Sequence, residues 1–409
     1  MRLLRLFLFL SVVVGADAAT LPGFRIEKLA DVPGFVSSVV VDSTGVVYAT
    51  TTDGWIHRID GATAVPVAAL PTHSGGNGGL LGMALLDDAT AVVHYTTWGH
   101  TATGEKVFDD VISTVDLATG AEHVLKAFPG DVEVRERGVS DEHHGGNPTV
   151  APDGSIFVGI GEYGAFAIAQ KPEWNGGKIW RLDREGNATQ YARGMRNPYD
   201  LAWDPQLGRV VVGDNGPNGG DELHVIESGV DCGWPVQKPT SVAPDYVFPY
   251  TVAPTGLARM TGANPMIRRG YLMAAFVTRA VYYFGDVATH PIADPVPVVE
   301  DFIDYVIDVT EAPGGEIYLA TASFLGSAIQ RLHVPPRGDC NGDGLVSSQD
   351  ILPMFREIQD GDAHPMITAQ DGNYAGSWGC DANADGVIDA KDLDALLHML
   401  SGRRRAVRR

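Results

Sequence analysis

The chain has little cysteine, little positive charge and no long apolar run beyond its first residues. Only three of its 409 residues are cysteines, Cys232, Cys340 and Cys380, too few for a disulfide-built scaffold. An oxidising compartment would let Cys340 pair with Cys380, the two that lie beside acidic loops, and leave Cys232 free. Lysines and arginines number 30 against 51 aspartates and glutamates, for a net charge of -21. So acidic a body argues against nucleic acid as a partner. The basic residues collect at the C-terminus in "GRRRAVRR", and residues 402–409 read as a solvated basic tail. The leading run in "MRLLRLFLFLSVVVGADAA" is about a dozen residues where a membrane span needs roughly twenty, so no transmembrane segment is expected. Arg2 and Arg5 precede it and Ala16 and Ala18 follow, so residues 1–18 are expected to be a secretory signal peptide cut after Ala18. The mature protein is then expected outside the cytoplasm.

What is present is a repeat. The segment "VDSTGVVYATTTDGWIHRID" reads as turn, β-branched strand, turn, strand, and the pattern returns in "APDGSIFVGIGE" with "GGKIWRLD", "DPQLGRVVVGDNG" with "DELHVIE", and "EAPGGEIYLATAS" with "AIQRLHV". Weaker copies are "LLGMALLDDATAVVHYTTW" and "RRGYLMAAFVTRAVYYFGD". Short strands between Asp-Gly and Gly-Gly turns, repeated at this period, predict an all-β fold, a six-bladed β-propeller over residues 20–334. The irregular spacing places long loops at 99–148 and 213–270, where binding residues are expected.

Those loops carry chemistry. In "SDEHHGGNPTVAPDG", His143 beside Glu142 or Asp141 offers a general base, with glycines allowing close approach; adjacent histidines also occur as plain surface residues. "YARGMRNPYDLAWDP" supplies a cation and an amide, Arg196 and Asn197, suited to anionic or carbonyl oxygens. In "GDNGPNGGDELHVIESGVDCGWP", the carbonyls of Gly216 and Pro217 stand among Asp214, Asn215, Asp221 and Glu222, an oxygen-rich loop suited to calcium, or a polar turn between two blades.

Together, "GGLLGMAL", "EHHGGNPTVAPDGSIFVGIGE", "GGKIWRLD", "RGMRNPYDLAWDP" and "DNGPNGGDELHVIESGVDCGWP" occur in the order found in the glucose/sorbosone dehydrogenase family, which residues 22–334 resemble. The resemblance implies a secreted oxidoreductase using pyrroloquinoline quinone and calcium on a small sugar or alcohol substrate. It assigns His143 as catalytic base supported by Glu142, and Asn77, Arg196, Asn197, Asn215, Gly216 and Pro217 to the cofactor and its calcium. The pattern departs where the family has arginine after "HxGG", here Asn147, and where it has an Arg-x-Arg strand, here "FIDYVIDV" with Asp304. Arg279 lies near a family lysine and is expected to replace part of that charge. The alternative is a non-catalytic propeller that binds carbohydrate or protein, since the fold serves both uses.

After "VPPRG" the composition changes. Asp339, Asn341, Asp343, Leu345, Ser347 and Asp350 surround Gly344, and Asp381, Asn383, Asp385, Val387, Asp389 and Asp392 surround Gly386 at the same spacing. Side chains at positions one, three, five, nine and twelve, a carbonyl at seven and glycine at six are the requirements of a calcium loop. Each is followed by one apolar-faced stretch, "ILPMFREI" and "LDALLHML". Residues 338–401 resemble the type I dockerin family, which implies a small α-helical domain of two calcium-binding loop-helix units and a cohesin-like partner. Pro353 and the long insert from 360 to 379 depart from the usual pattern.

Overall fold

The computed structural model describes residues 19–20, 24–100, 106–130, 142–360 and 378–406. The expected signal peptide, Asp141, most of the insert in the C-terminal region and the last three residues lie outside the described residues.

The turns that punctuate the sequence are built by aspartate side chains. Asp42 accepts the backbone N–H groups of Thr44 and Val46 at 2.8 and 2.9 Å, and Asp116, Asp183 and Asp204 close their own turns in the same way. Between such turns the β-branched runs pair as antiparallel strands. Among the described residues, hydrogen bonding gives five sheets, the largest of eight strands. That one consists of two four-stranded ladders, Tyr305–Ser323 continued by Gly326–His333 and Arg25–Val32, and Val36–Ala69, joined only by the parallel pair Asp31 and Thr63.

The first strands of the successive ladders are Val36–Val41, Leu80–Asp87, Thr149–Val150, Pro198–Asp204, Pro254–Arg259 and Tyr305–Glu311. Each touches the next, and the last touches the first, so they close a circuit around an axis. The architecture is mostly β and propeller-like. Apolar clusters fill the wedges between neighbouring sheets: Tyr48 and Ile56 meet Leu80 and Val93, and Ala202 and Val211 meet Met273 and Phe284. Each fully buried side chain of this kind contributes about 1.5–3 kcal/mol, which is why the sheets need no disulfide.

The C-terminal region holds helices α1 (Ile351–Asp360) and α2 (Ala390–Ala406), packed through Val346, Met354, Ala382 and Leu396. Helix α2 continues through Ala406, so the expected basic tail is helical over much of its length. Cys340 and Cys380 are disulfide-bonded with their Cα atoms 4.4 Å apart, and Cys232 is free and buried. Trp378 packs on the propeller cluster that contains Phe24 and Leu332, and beneath the Arg337 guanidinium, 3.4 Å from its ring centroid.

Candidate functional site

In an antiparallel pair, the start of the first strand lies beside the end of the second. Asn77, His143, Arg196, Asn197 and Asp304 precede first strands; Glu162, Asn215 to Pro217 and Arg279 follow second strands. One rim of the ring therefore collects these residues.

At its centre, His143 is buried with φ +58, a left-handed conformation that aims its ring away from the path of the chain. Its Nδ1 lies 2.8 Å from Glu162 Oε1. Glu142, expected to support the histidine, is exposed and makes no such contact; the supporting carboxylate is Glu162, fully buried, from the end of strand Ile156–Ile160. The correction has a physical basis. Glu162 follows Ile156–Ile160, the strand paired with Thr149–Val150, and so stands beside the His143 segment that precedes that strand. Its signal was present in "GIGE", where a lone acid ends an apolar strand.

The second histidine has a different task. His144 Nδ1 lies 3.3 Å from Asp110 Oδ1, and the same carboxylate receives the Tyr163 hydroxyl at 2.5 Å and His94 Nε2 at 3.1 Å. Burial opposes ionisation of Asp110, but His144 and His94 outweigh it and hold its carboxyl well below the usual range. His144 is thus packed into the sheet framework and His143 left to the rim.

Two close approaches need glycine. A Cβ on Gly161 would stand 2.1 Å from the His143 carbonyl, and one on Gly145 (φ +83) would stand 2.0 Å from the Gly159 carbonyl. Gly145 N–H then reaches Asn197 Oδ1 at 3.1 Å, and Glu162 N–H reaches the Arg196 carbonyl at 2.9 Å, lacing the His143 segment to the Arg196 segment.

Asp214 clamps that second segment, accepting Arg196 N–H at 2.9 Å and Asn197 N–H at 2.6 Å. Burial pushes its carboxyl up to about 6. Beneath it, burial works against protonation of His224, but Cys232 and Glu222 prevail and raise it to about 10. Asp214, Glu222 and His224 offer ligand atoms within 4.8 Å of one another. Asp221 accepts Gly216 N–H, Val252 N–H and Ala253 N–H, fixing the Gly216 loop to the next sheet.

The Arg196 guanidinium donates to the carbonyls of Asn215 at 2.8 Å and Gly216 at 3.2 Å, and lies 5.9 Å from the Trp234 ring. The cation and one of the carbonyls expected to serve calcium are therefore bound to each other. Arg279 turns elsewhere, over the Tyr305 ring at 5.6 Å, with Nη1 donating to the Ile303 carbonyl at 3.4 Å. Asn77 is exposed on the turn before Leu80.

The two acidic loops of the C-terminal region share one network. Asp339 accepts Asp343 and Gly344 N–H at 3.1 and 2.8 Å, as Asp381 accepts Asp385 and Gly386 at 3.1 Å each. Asp350 accepts Asn341 and Ser347 N–H, as Asp392 accepts Asn383 and Asp389. Gly344 and Gly386 take φ +85 and +82, the bend expected at position six. Ser347 and Asp389 use their side chains at the helix starts, accepting Gln349 and Lys391 N–H at 3.0 and 2.7 Å. Arg337 pairs with Asp381.

The chain is 26% identical over 198 residues to aldose sugar dehydrogenase YliI of Escherichia coli, covering 42% of this chain and 50% of that one. It is 26% identical over 240 residues to a Synechocystis protein, covering 48% and 58%. It thus spans about half the length of these curated relatives. The PQQ-bound aldose sugar dehydrogenase of Streptomyces coelicolor shares the fold, with TM-score 0.62 and 21% identity over 77% of this chain and 99% of that one. Residues 337–401 match the model of the Dockerin type I domain. Residues 36–330 match the Glucose / Sorbosone dehydrogenase model, and the chain belongs to that family.

Proposed function

We propose that this chain is a secreted, quinone-dependent oxidoreductase acting on an aldose or related alcohol, attached through its C-terminal module to a cohesin-like partner. The observation that carries the enzymatic reading is the buried His143 and Glu162 pair, 2.8 Å apart, on the rim shared with Arg196. With Nδ1 held by Glu162, Nε2 is the basic nitrogen of His143 and takes the proton of the substrate hydroxyl as the carbon gives up hydride. Glu162 orients the ring and stabilises the imidazolium that forms.

The donor set suits the quinone. Glu162 Oε2 and Arg196 Nε are buried without hydrogen-bond partners, in the position where a polar group would complete them. Arg196, Asn197, Asn77 and Arg279 are assigned to its polar edge, and the Gly216 and Pro217 carbonyls, with Asn215 beside them, to calcium. When bound, pyrroloquinoline quinone supplies the two-electron acceptor and calcium the Lewis acid. Since Arg196 already donates to the Gly216 carbonyl, a cation there requires the guanidinium to turn away. Asn147 and Asp304 in place of arginines leave fewer positive charges for a tricarboxylate, so affinity should be lower than in members that keep them.

On this reading the eight-stranded sheet counts as two blades and the propeller has six. Asp339, Asn341, Asp343, Leu345 and Asp350 hold one structural calcium, and Asp381, Asn383, Asp385, Val387 and Asp392 a second, with Ser347 and Asp389 reaching theirs while capping the helices. The support is the shared network and the burial of Asp339, Asp350, Asp381 and Asp392. The test is reconstitution with quinone and calcium, then dye reduction with a panel of aldoses. Cofactor-dependent reduction lost in His143→Gln supports the enzyme; none with any sugar returns the alternative, a propeller that binds carbohydrate or protein.

A further inference from the structure

Five of the first strands carry the same irregularity, a skipped residue in their pairing, after which stand Ser38, Gly82, Asp200, Gly256 and Asp308. Asn147 takes the corresponding place on the approach to Thr149–Val150, its N–H donating to the Tyr199 carbonyl at 2.8 Å. These bulges bring one polar level of the circuit to a cavity of about 260 Å³, walled by all the first strands and by Asn147, Asp200 and Asp308.

The two glycines are there because a neighbour's oxygen fills their space. A Cβ on Gly82 would stand 1.9 Å from Asn147 Oδ1, and one on Gly256 2.6 Å from Asp308 Oδ1. Asp200 Oδ2 accepts Leu257 N–H at 2.6 Å and Asn147 Nδ2 at 3.1 Å, while Oδ1 accepts Leu201 N–H at 2.6 Å. Asp308 accepts Val39 N–H at 2.8 Å and Val309 N–H at 2.7 Å. Both carboxylates thus approach the Gly256 to Leu257 stretch, Asp308 through the space beside Gly256 and Asp200 through Leu257 N–H.

All these donors are neutral. Arg259, the one basic residue in the wall, lies 3.4 Å from Asp204. Asn147 Oδ1 is an independent sign: the side chain is 4% exposed, lines the cavity and has no hydrogen-bond donor for this oxygen.

We propose that this cavity binds a hard divalent cation, of the calcium class, through Asp200, Asp308 and Asn147 Oδ1, with water completing the shell. Oxygen ligands alone, two negative charges and room for water are the requirements of such an ion. It would tie the end of the "EHHGGN" segment to strands Pro198–Asp204 and Tyr305–Glu311, beneath the rim. The inference stands apart from the quinone reading.

The direct test is an anomalous-difference map from crystals of the full chain grown with calcium and without quinone. A peak between Asp200 and Asp308 is expected. Counting metal by mass spectrometry after dialysis against calcium should show Asp200→Asn and Asp308→Asn each losing one bound ion, with those of the C-terminal loops retained. Asn147→Ala keeps both carboxylates and should weaken this ion's binding by about tenfold. An empty axis in the map overturns the proposal even if the variants fail to fold. So does an infrared band of a protonated carboxyl that disappears in Asp308→Asn with metal content unchanged, since the acids would then share a proton.

Discussion

The C-terminal module and the propeller rim both array oxygens around a centre, but by opposite means. Each acidic loop closes on itself within twelve residues, and the second repeats the first bond for bond. The rim takes His143 and Glu162 from one hairpin and Arg196 and Gly216 from the next, and the two pairs meet only when neighbouring blades have packed. Local construction ties the module's order to its ligands; distributed construction lets the rim lose a side chain and keep its scaffold.

The largest effect should come from taking metal from the module. A chelator should abolish the α1 and α2 signal in circular dichroism and open the C-terminal region to protease while the propeller's β signal persists. Joint loss of both would break the contrast. Reducing Cys340 to Cys380, which closes a 40-residue separation, removes about 4 kcal/mol more in the chain-entropy model and should lower the calcium concentration tolerance of the module.

At the rim, Glu162→Gln should reduce turnover by about 10²–10⁴-fold at temperatures where the variant remains folded, and should shift the pH profile of kcat. Equal activity at every pH would show that Glu162 does not orient His143. Asp110→Asn, in contrast, attacks the scaffold. Removing one member of a buried charged network costs about 3–5 kcal/mol. Because the folded carboxyl lies below its ordinary 3.8, the stability it adds is present above that value and fades as pH falls; the melting difference should be largest near neutrality and shrink in acid. The smallest effect belongs to Glu27, whose carboxyl is lowered to about 2 by hydrogen bonds from His333 and Arg331 in open solvent. Glu27→Gln should leave the melting curve unmoved, since exposed pairs are screened.

Legibility in the sequence followed the same division. The two acidic loops, proposed to hold calcium, could be located residue by residue because every member of each network lies on one short segment. The repeat and the His143, Arg196 and Gly216 motifs were also legible, because turn glycines and a paired histidine are local signals. Glu162 was harder to read: "GIGE" marks an acid at a strand end, but only the pairing of Thr149–Val150 with Ile156–Ile160 brings that acid beside His143. The axial level of Asn147, Asp200 and Asp308 was hidden for a stronger reason: a bulge belongs to a pair of strands, and one strand's sequence does not record its partner's register.

Strand Arg25–Val32 is paired with Gly326–His333, across some three hundred residues of chain. The ring is therefore a belt whose buckle consists of its first and last pieces. A chain made from its N-terminus carries half a buckle through nearly the whole of synthesis, a strand edge that must be kept from other edges until its mate arrives. Shortening the chain just before Gly326 would thus cost far more than the few strand residues removed, because it would take away the strand that joins Arg25–Val32 to Ile317–Ser323 and leave the belt unfastened.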